Sequence, residues 1–180
     1  MDIQELENTP NQNAKRFVLS ANVVPVFQSL HFTPDTEVTH DLAIALLAVQ
    51  GVSEVFLQGN WVTVTRKSEV PWEDLLRKIA VVLRSYEPET FSNDTTERTS
   101  LLPKDDPRVP LIRLVIEQEI MPYLNSHGGS LELLTLEESI LQVRYQGACS
   151  GCPASETGTL LAIQTILQRE VDPTLTVEAL

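Results

Sequence analysis

A segment without hydrophobic patterning separates two regions of this chain that are patterned. Residues 87–100 read EPETFSNDTTERTS and contain one large apolar residue, with neither a helical nor a strand period. Such a segment buries too little apolar surface to offset the entropy that is lost when it is ordered. The chain is therefore predicted to form two small domains, residues 1–86 and 107–180, joined by a linker over residues 87–106.

Composition and charge exclude several classes of protein. The 180 residues are 42% hydrophobic and 21% charged, as in soluble globular proteins. There are 25 acidic and 13 basic side chains, so the net charge of −12 repels nucleic-acid phosphates and anionic lipid headgroups. No apolar run approaches the roughly 20 residues that cross a bilayer, and the first residues lack the pattern of a targeting segment. We expect a cytoplasmic protein that binds neither nucleic acid nor membranes.

The N-terminal region is predicted to be a mixed sheet covered by helices. A strand is expected at residues 16–19, a helix at 41–49, a hairpin of strands 52–57 and 61–65, and a second helix at 72–83. Several apolar residues of the second helix recur at helical spacing and are expected to face the sheet, namely Leu75, Leu76, Ile79, Val82 and Leu83.

The C-terminal region has the predicted order α-β-β-α-β. Alternating apolar and polar residues indicate half-buried strands, and apolar residues at helical spacing indicate the two helices. The predicted elements are a helix from Asp106-Pro107 to Ile120 that Pro122 disturbs, strands at 131–133 and 141–145, a helix at 154–169 and a strand at 175–177. Both regions are therefore assigned to the α+β class, each with a short mixed or antiparallel sheet covered by helices.

The two cysteines of the chain, Cys149 and Cys152, form a single C-x-x-C motif. Two intervening residues allow both sulfur atoms to bind one centre, as in zinc knuckles and iron–sulfur sites. The loop lies between a predicted strand and a predicted helix, whose N-terminus favours thiolate over thiol. Gly147 and Gly151 allow the backbone to approach a ligand closely. The motif is therefore the candidate metal- or cofactor-binding site.

One chain supplies half of the ligands that such a site needs. A tetrahedral Zn²⁺ or a [4Fe–4S] cluster takes four protein ligands, and the three histidines, His31, His40 and His127, are isolated in sequence. Two chains related by a twofold axis would supply four thiolates, and such a dimer is the commonest oligomer. A cluster held in this way is half-exposed and easily lost to an acceptor, which suits a carrier.

Two other interpretations of the motif stay open from the residues alone. A dithiol–disulfide oxidoreductase also places C-x-x-C at the start of a helix, although thioredoxin-like proteins place it in a βαβ unit. Here Ala148 replaces the aromatic residue that commonly precedes that motif, and Pro153 lies outside it. A zinc-bridged structural dimer is the other alternative. His127, beside a glycine pair, is interpreted as a solvated turn residue rather than a ligand.

The sequence around the cysteines resembles that of a known family. The motif G-A-C-S-G-C-P at 147–153, with H-G-G-S-L-E-L at 127–133 and I-L-Q-V-R-Y at 140–145, is similar to the C-terminal domain of the NifU/Nfu family of iron–sulfur cluster carriers over about residues 109–180. The N-terminal region, with T-P-N-Q-N at 9–13, G-V-S-E-V-F at 51–56 and W-V-T-V-T-R at 61–66, resembles the N-terminal domain of Nfu proteins.

The resemblance implies a function and a ligand set. Cys149 and Cys152 would hold a [4Fe–4S] cluster shared between the two subunits of a homodimer. The chain would receive clusters from an upstream scaffold or donor and deliver them to acceptor apo-proteins, without acting as an enzyme. The N-terminal domain would recognise partners. The chain departs from the family at the glycine turn, where His127 and Ser130 stand in place of the usual acidic residues.

Overall fold

The computed structural model describes residues 1–25, 28–88, 102–103, 105–150, 152 and 158–180. The chain divides into two compact units, Met1–Glu97 and Arg98–Leu180. Each unit combines a β-sheet with helices, so the predicted two-domain α+β architecture is confirmed. Most of the predicted linker lies outside the described residues, and the predicted domain boundaries stay predictions.

The N-terminal unit is a five-stranded antiparallel sheet with two helices. Its strands follow the order β1-β2-β5-β4-β3, and every neighbouring pair is antiparallel. The elements are β1 (Ile3–Asn8), β2 (Ala14–Leu19), β3 (Ser29–Phe32), α1 (Asp41–Leu47), β4 (Val52–Gln58), β5 (Trp61–Arg66) and α2 (Trp72–Ser85). The predicted central strands, hairpin and two helices are therefore present.

The sequence prediction missed the two edge strands of this sheet, β1 and β3. Strand β1 buries little of its surface, and Leu6 at its centre is 44% exposed. Strand β3 has only four residues. A short or weakly buried edge strand requires few apolar side chains, so it lacks the alternation that identifies a central strand.

The core of the N-terminal unit forms between the sheet and the two helices. Helix α2 contributes Leu75, Ile79 and Leu83, which are all fully buried, and Leu76 and Val82 pack against the same cluster. The predicted inward face of this helix is therefore confirmed. Acidic residues occupy its first turn and Arg84 its last, which is the arrangement that the helix dipole favours.

The C-terminal unit is a three-stranded sheet with helices, in the predicted order α-β-β-α-β. Strand β7 is central, antiparallel to β6 and parallel to β8. The elements are α3 (Arg108–Val115), a π-helical turn (Ile116–Ile120), α4 (Met121–Ser126), β6 (Gly129–Glu137), β7 (Ile140–Gly147), α5 (Leu160–Glu170) and β8 (Thr176–Ala179). The predicted start of the last helix near residue 154 lies outside the described residues.

Pro122 disturbs the first helix of this unit, as predicted, but does not end it. The Met121 N–H donates to the Ile116 carbonyl, five residues earlier, in the wide spacing of a π-helical turn. Proline has no N–H to donate in a helix. The wide turn precedes it, and the chain then continues as α4 to Ser126.

The core of the C-terminal unit is separate from that of the N-terminal unit. It collects apolar residues from α3, the π-helical turn, α5 and the inner face of the sheet, and it includes Tyr145 and Cys149. None of its members belongs to the N-terminal core. Among the described residues, no helix is both long enough and apolar enough to span a membrane.

Candidate metal-binding site

The two cysteines lie in a tight loop that directly follows β7. The Ala148 N–H donates to the Gly128 carbonyl at 3.0 Å, and the Ser150 N–H donates to the Gly147 carbonyl at 3.0 Å. Gly147, the last residue of β7, has φ of 64°, a left-handed conformation that glycine adopts without strain. The main-chain bonds therefore hold the start of the loop against the turn that precedes β6.

Both candidate ligands are buried in the single chain. Cys149 is 5% exposed and Cys152 is 4% exposed, and neither forms a disulfide. The Cys152 N–H donates to the Cys149 carbonyl at 3.4 Å, so one turn of backbone joins the two residues. The structure covers both thiols in the single chain, and a half-exposed cluster between two chains stays a prediction.

The glycine pair at the start of β6 is part of this site. Gly128 has φ of 75° and makes the turn. A Cβ atom built on Gly129 would lie 2.3 Å from Cys149 Sγ and 2.9 Å from the Cys149 backbone nitrogen. The Cys149 side chain therefore rests on the backbone of Gly129, and only a glycine leaves space for it. The glycine pair predicts a turn here but not this contact, although the pairing of the two predicted strands would bring their ends together.

Tyr145 is a further residue of the site that sequence reasoning missed. Its side chain points into the same core cluster as Cys149, and the residue is 8% exposed. Its hydroxyl has no hydrogen-bond partner among the described residues. Burial and, to a lesser extent, the negative charge of Cys149 raise the pKa of Tyr145 to about 12. A tyrosine at an inward-facing strand position was the available signal.

His127 and Ser130, the two residues that flank the glycine pair, make packing contacts within the C-terminal unit. Ser130 is fully buried, and its hydroxyl donates to Met121 Sδ at 3.8 Å. The His127 ring packs edge-on against Tyr123 with 4.4 Å between ring centroids. These contacts are local packing within the C-terminal unit.

The other two histidines interact within the N-terminal unit. His31 Nε2 lies 3.1 Å from Glu54 Oε2, and His40 Nε2 lies 3.0 Å from the Val23 carbonyl oxygen. Within the described ranges, no group of three or more histidine, cysteine, aspartate or glutamate side chains is arranged to hold a metal ion. In the part of the chain that the structure describes, the candidate ligands are therefore the two thiols.

The T-P-N-Q-N segment forms the connection between β1 and β2. The Thr9 hydroxyl donates to the carbonyls of Asn11 and Ala14 at 2.9 Å each. The Asn13 N–H donates to Asn11 Oδ1 at 3.0 Å. These bonds are those of a turn stabilised by threonine and asparagine side chains, and they fold this motif locally.

Two family descriptions match the chain, one in each unit. Residues 3–89 match the scaffold protein Nfu/NifU N-terminal domain, and residues 112–178 match the NifU-like domain. The second match contains both cysteines, the glycine pair, the strands β6 and β7, and all of β8 except Ala179.

Relatives of known name cover almost all of this chain. NifU-like protein 5, mitochondrial, of Arabidopsis thaliana is 30% identical over 97% of the chain and 66% of that protein. The NFU1 iron-sulfur cluster scaffold homolog, mitochondrial, of Drosophila erecta is 25% identical over 91% of the chain and 60% of that protein. The chain thus spans less than two thirds of the length of these relatives. A crystal structure of protein SAV1430 from Staphylococcus aureus aligns with 46% of this chain and 98% of its own, at 26% sequence identity. The TM-score of 0.41 is too low to support a conclusion.

These relatives contradict the predicted cytoplasmic location. Both proteins are named mitochondrial, as is NifU-like protein 4 of Arabidopsis thaliana, which is 28% identical over 97% of the chain. The prediction was wrong because it rested on cysteine content and on the first residues of the printed sequence. Cysteine content reports a reducing environment and does not distinguish one reducing compartment from another.

The cysteine loop and the glycine turn, which contact each other in the site, both lie within the NifU-like match. The two matches cover both compact units in the order in which the units occur in the chain. This chain therefore belongs to the Nfu/NifU family.

Proposed function

We propose that this chain is an iron–sulfur cluster carrier that holds a [4Fe–4S] cluster between two copies of itself through Cys149 and Cys152. The observation that carries the proposal is the pair of thiols, one turn apart, in a loop packed on the glycine turn. Two thiolates are half of the ligand set of such a cluster. A second copy of the chain would supply the other half across a twofold axis.

The chemistry of the donor set supports iron–sulfur binding. Thiolates are soft ligands that select zinc, copper(I) or iron–sulfur centres over magnesium or calcium. The names of the relatives favour the iron–sulfur cluster among these candidates, since the Drosophila protein is named a scaffold for it. Both thiols are buried in the single chain, so loading requires the loop to expose the two sulfur atoms.

A cluster shared between two chains is suited to transfer. Each chain contributes only two thiolates, so an acceptor that offers its own cysteines competes with one half of the site at a time. In this proposal the cluster is cargo: an upstream scaffold or donor supplies it, and acceptor apo-proteins receive it. The chain releases the cluster intact and does not turn over a small substrate.

The N-terminal unit has a different role in this proposal. It contains no cysteine, so it offers no thiolate to a cluster. It nevertheless has a complete core of its own. We assign to it the recognition of acceptors or donors, with cluster binding confined to the C-terminal unit.

Anaerobic reconstitution with iron and sulfide tests the binding proposal. We expect a broad absorption at about 400 nm, typical of thiolate-bound clusters, together with two chains per cluster by native mass and by iron and sulfide analysis. Cys149→Ser and Cys152→Ser should each abolish both signals. Ser126→Ala, which changes an exposed serine of the same unit outside the cysteine loop and removes no sulfur, is the matched control and should load like the wild type.

Two results would contradict the proposal in favour of the alternatives. A monomeric protein that stays colourless and reduces insulin disulfides would be a dithiol oxidoreductase. A dimer that holds one zinc ion, resists chelators and keeps the metal when mixed with apo-acceptors would be a zinc-bridged structural dimer.

A further inference from the structure

The hydroxyl group of Tyr145 is buried without a hydrogen-bond partner among the described residues. The residue is 8% exposed, and its oxygen is inaccessible to solvent. Burial of a hydroxyl without a hydrogen bond is unfavourable, and most buried polar groups in folded proteins are paired. Phenylalanine would fill the same position without this cost. A partner for this hydroxyl is therefore missing among the described residues of the single chain.

Strand pairing places Tyr145 beside the Cys149 thiol. Leu131 pairs with Tyr145, and Gly129 pairs with Gly147, so Gly129 and Tyr145 are diagonal neighbours on one face of the β6–β7 ladder. Diagonal neighbours lie within reach of an aromatic side chain. The Cys149 sulfur rests directly on Gly129, and Tyr145 and Cys149 belong to one core cluster.

The electrostatics of the pair agree with this placement. A negative charge on Cys149 contributes to the raised pKa of Tyr145, after the larger effect of burial. A tyrosine phenol, with an ordinary pKa of about 10, is protonated at neutral pH and is a hydrogen-bond donor. A thiolate that ligates iron keeps part of its negative charge and accepts such bonds, and hydrogen bonds to sulfur tune iron–sulfur clusters.

We infer that Tyr145 is a positioning residue whose hydroxyl donates a hydrogen bond to the Cys149 sulfur when that sulfur ligates the cluster. The inference rests on the proposed function. The hydroxyl has no acceptor among the described residues of the single chain, and the Cys149 sulfur becomes its acceptor when the cluster is bound. This hydrogen bond stabilises the protein with the cluster bound relative to the protein without it, so the hydroxyl helps to retain the cluster.

Replacement of Tyr145 by phenylalanine tests this inference, because it removes the oxygen and keeps the ring. The Tyr145→Phe variant should load one cluster per two chains, like the wild type. We expect it to lose the cluster to a chelator about tenfold faster, the effect of one hydrogen bond to a charged group. Resonance Raman spectra should lose part of the shift that D₂O causes in the iron–sulfur stretching bands of the wild type.

The unloaded variant separates this role from a structural one. Without the cluster, Tyr145→Phe should melt at the same temperature as the wild type or higher, because an unsatisfied buried hydroxyl has been removed. Tyr123→Phe is the matched control: Tyr123 is 55% exposed and lies in the same unit. It should match the wild type in cluster retention and in the D₂O shift.

The outcomes distinguish this inference from the proposed function. If Tyr145→Phe retains the cluster as long as the wild type and keeps the full D₂O shift, the inference is wrong and the proposed function stands. Faster cluster loss together with a lower melting temperature of the unloaded protein also overturns it, in favour of a structural role. If the wild type and Tyr123→Phe assemble no cluster, the proposed function is wrong and the inference falls with it.

Discussion

The position of the Cys149 side chain depends on Gly129, a residue that is distant in sequence. The Cys149 sulfur lies against the backbone of Gly129, at the start of β6, where any side chain would occupy the space of the thiol. The position of a candidate ligand is therefore set by the absence of a Cβ atom on the neighbouring strand. Gly158 differs, because a Cβ atom added there would have no described atom within 4 Å beyond its chain neighbours and the adjoining helix backbone.

Gly129→Ala should damage both the site and the fold. The added methyl group would lie 2.3 Å from Cys149 Sγ and 2.9 Å from the Cys149 nitrogen, so backbone as well as side chain must shift. Overpacking of this kind lowers the free energy of unfolding by about 1–3 kcal/mol. The urea concentration at the unfolding midpoint of the unloaded protein should fall below the wild-type value. The iron content after reconstitution should fall as well.

Gly158→Ala is the matched control and should have the opposite effect on stability. Alanine restricts the unfolded chain more than glycine does, so we expect a gain of about 0.4–1 kcal/mol with unchanged iron content. Equal iron content in the two variants would show that the contact between Gly129 and Cys149 does not matter for loading.

At the scale of elements, Arg108 at the start of α3 joins three parts of the C-terminal unit. Its guanidinium lies 2.7 Å from Asp106 Oδ2 and 3.2 Å from Asp172 Oδ2, the latter in the segment between α5 and β8. It also donates to the Glu138 carbonyl in the turn between β6 and β7. One side chain therefore connects the first helix, the hairpin turn and the approach to the last strand.

The stability of this unit should fall in acid because of these contacts. Hydrogen bonds from the Arg108 side chain, and then from its backbone, lower the pKa of Asp106. The backbone and hydroxyl of Thr174, and then Arg108, lower the pKa of Asp172. A carboxyl whose pKa is lower in the folded state stabilises the fold above its ordinary pKa. This contribution is lost as the pH falls through the folded-state value.

Arg108→Gln tests the contribution of this arginine. The variant should melt at a lower temperature than the wild type at pH 7, and the difference should shrink as the pH is lowered below about 4. Arg113→Gln, on the same helix and without an ion pair among the described contacts, is the control. A difference between Arg108→Gln and wild type that is constant from pH 7 to pH 2 would contradict the argument.

At the scale of the whole molecule, the two units have separate cores and separate sheets. The candidate ligands belong to the C-terminal unit alone. The two functions assigned under the proposal, cluster binding and partner recognition, can therefore be removed one at a time. Separate cores make each unit a candidate for independent folding.

Deletion of residues 1–90 should leave cluster binding intact and slow the transfer to some acceptors. We expect the shortened chain to load one cluster per two chains and to show the absorption of the full chain. Cys149→Ser in the shortened chain, which should load nothing, is the control for loading. Unchanged transfer to every acceptor tried would contradict the role assigned to the N-terminal unit.

Strong apolar patterns made most of the fold predictable. Helix α2 and the strands β4 and β5 place apolar residues at regular spacing, and each appears in the structure close to its predicted bounds. Strands β1 and β3 were missed because an edge strand buries too little to be patterned. Tyr145 was recognised as a strand residue only, since its unsatisfied hydroxyl is a property of the packed core.

The residue types and their spacing along the chain were sufficient to predict the two α+β units, the pair of candidate ligands and the family resemblance. Contacts between distant parts of the chain were decided only by the tertiary structure. The closeness of Gly129 to Cys149 and the placement of Tyr145 diagonally opposite Gly129 both depend on the pairing of β6 with β7. The physical reason is that the apolar pattern of a strand indicates which of its faces is buried. The neighbouring strand and the register between the two are fixed only when the sheet forms.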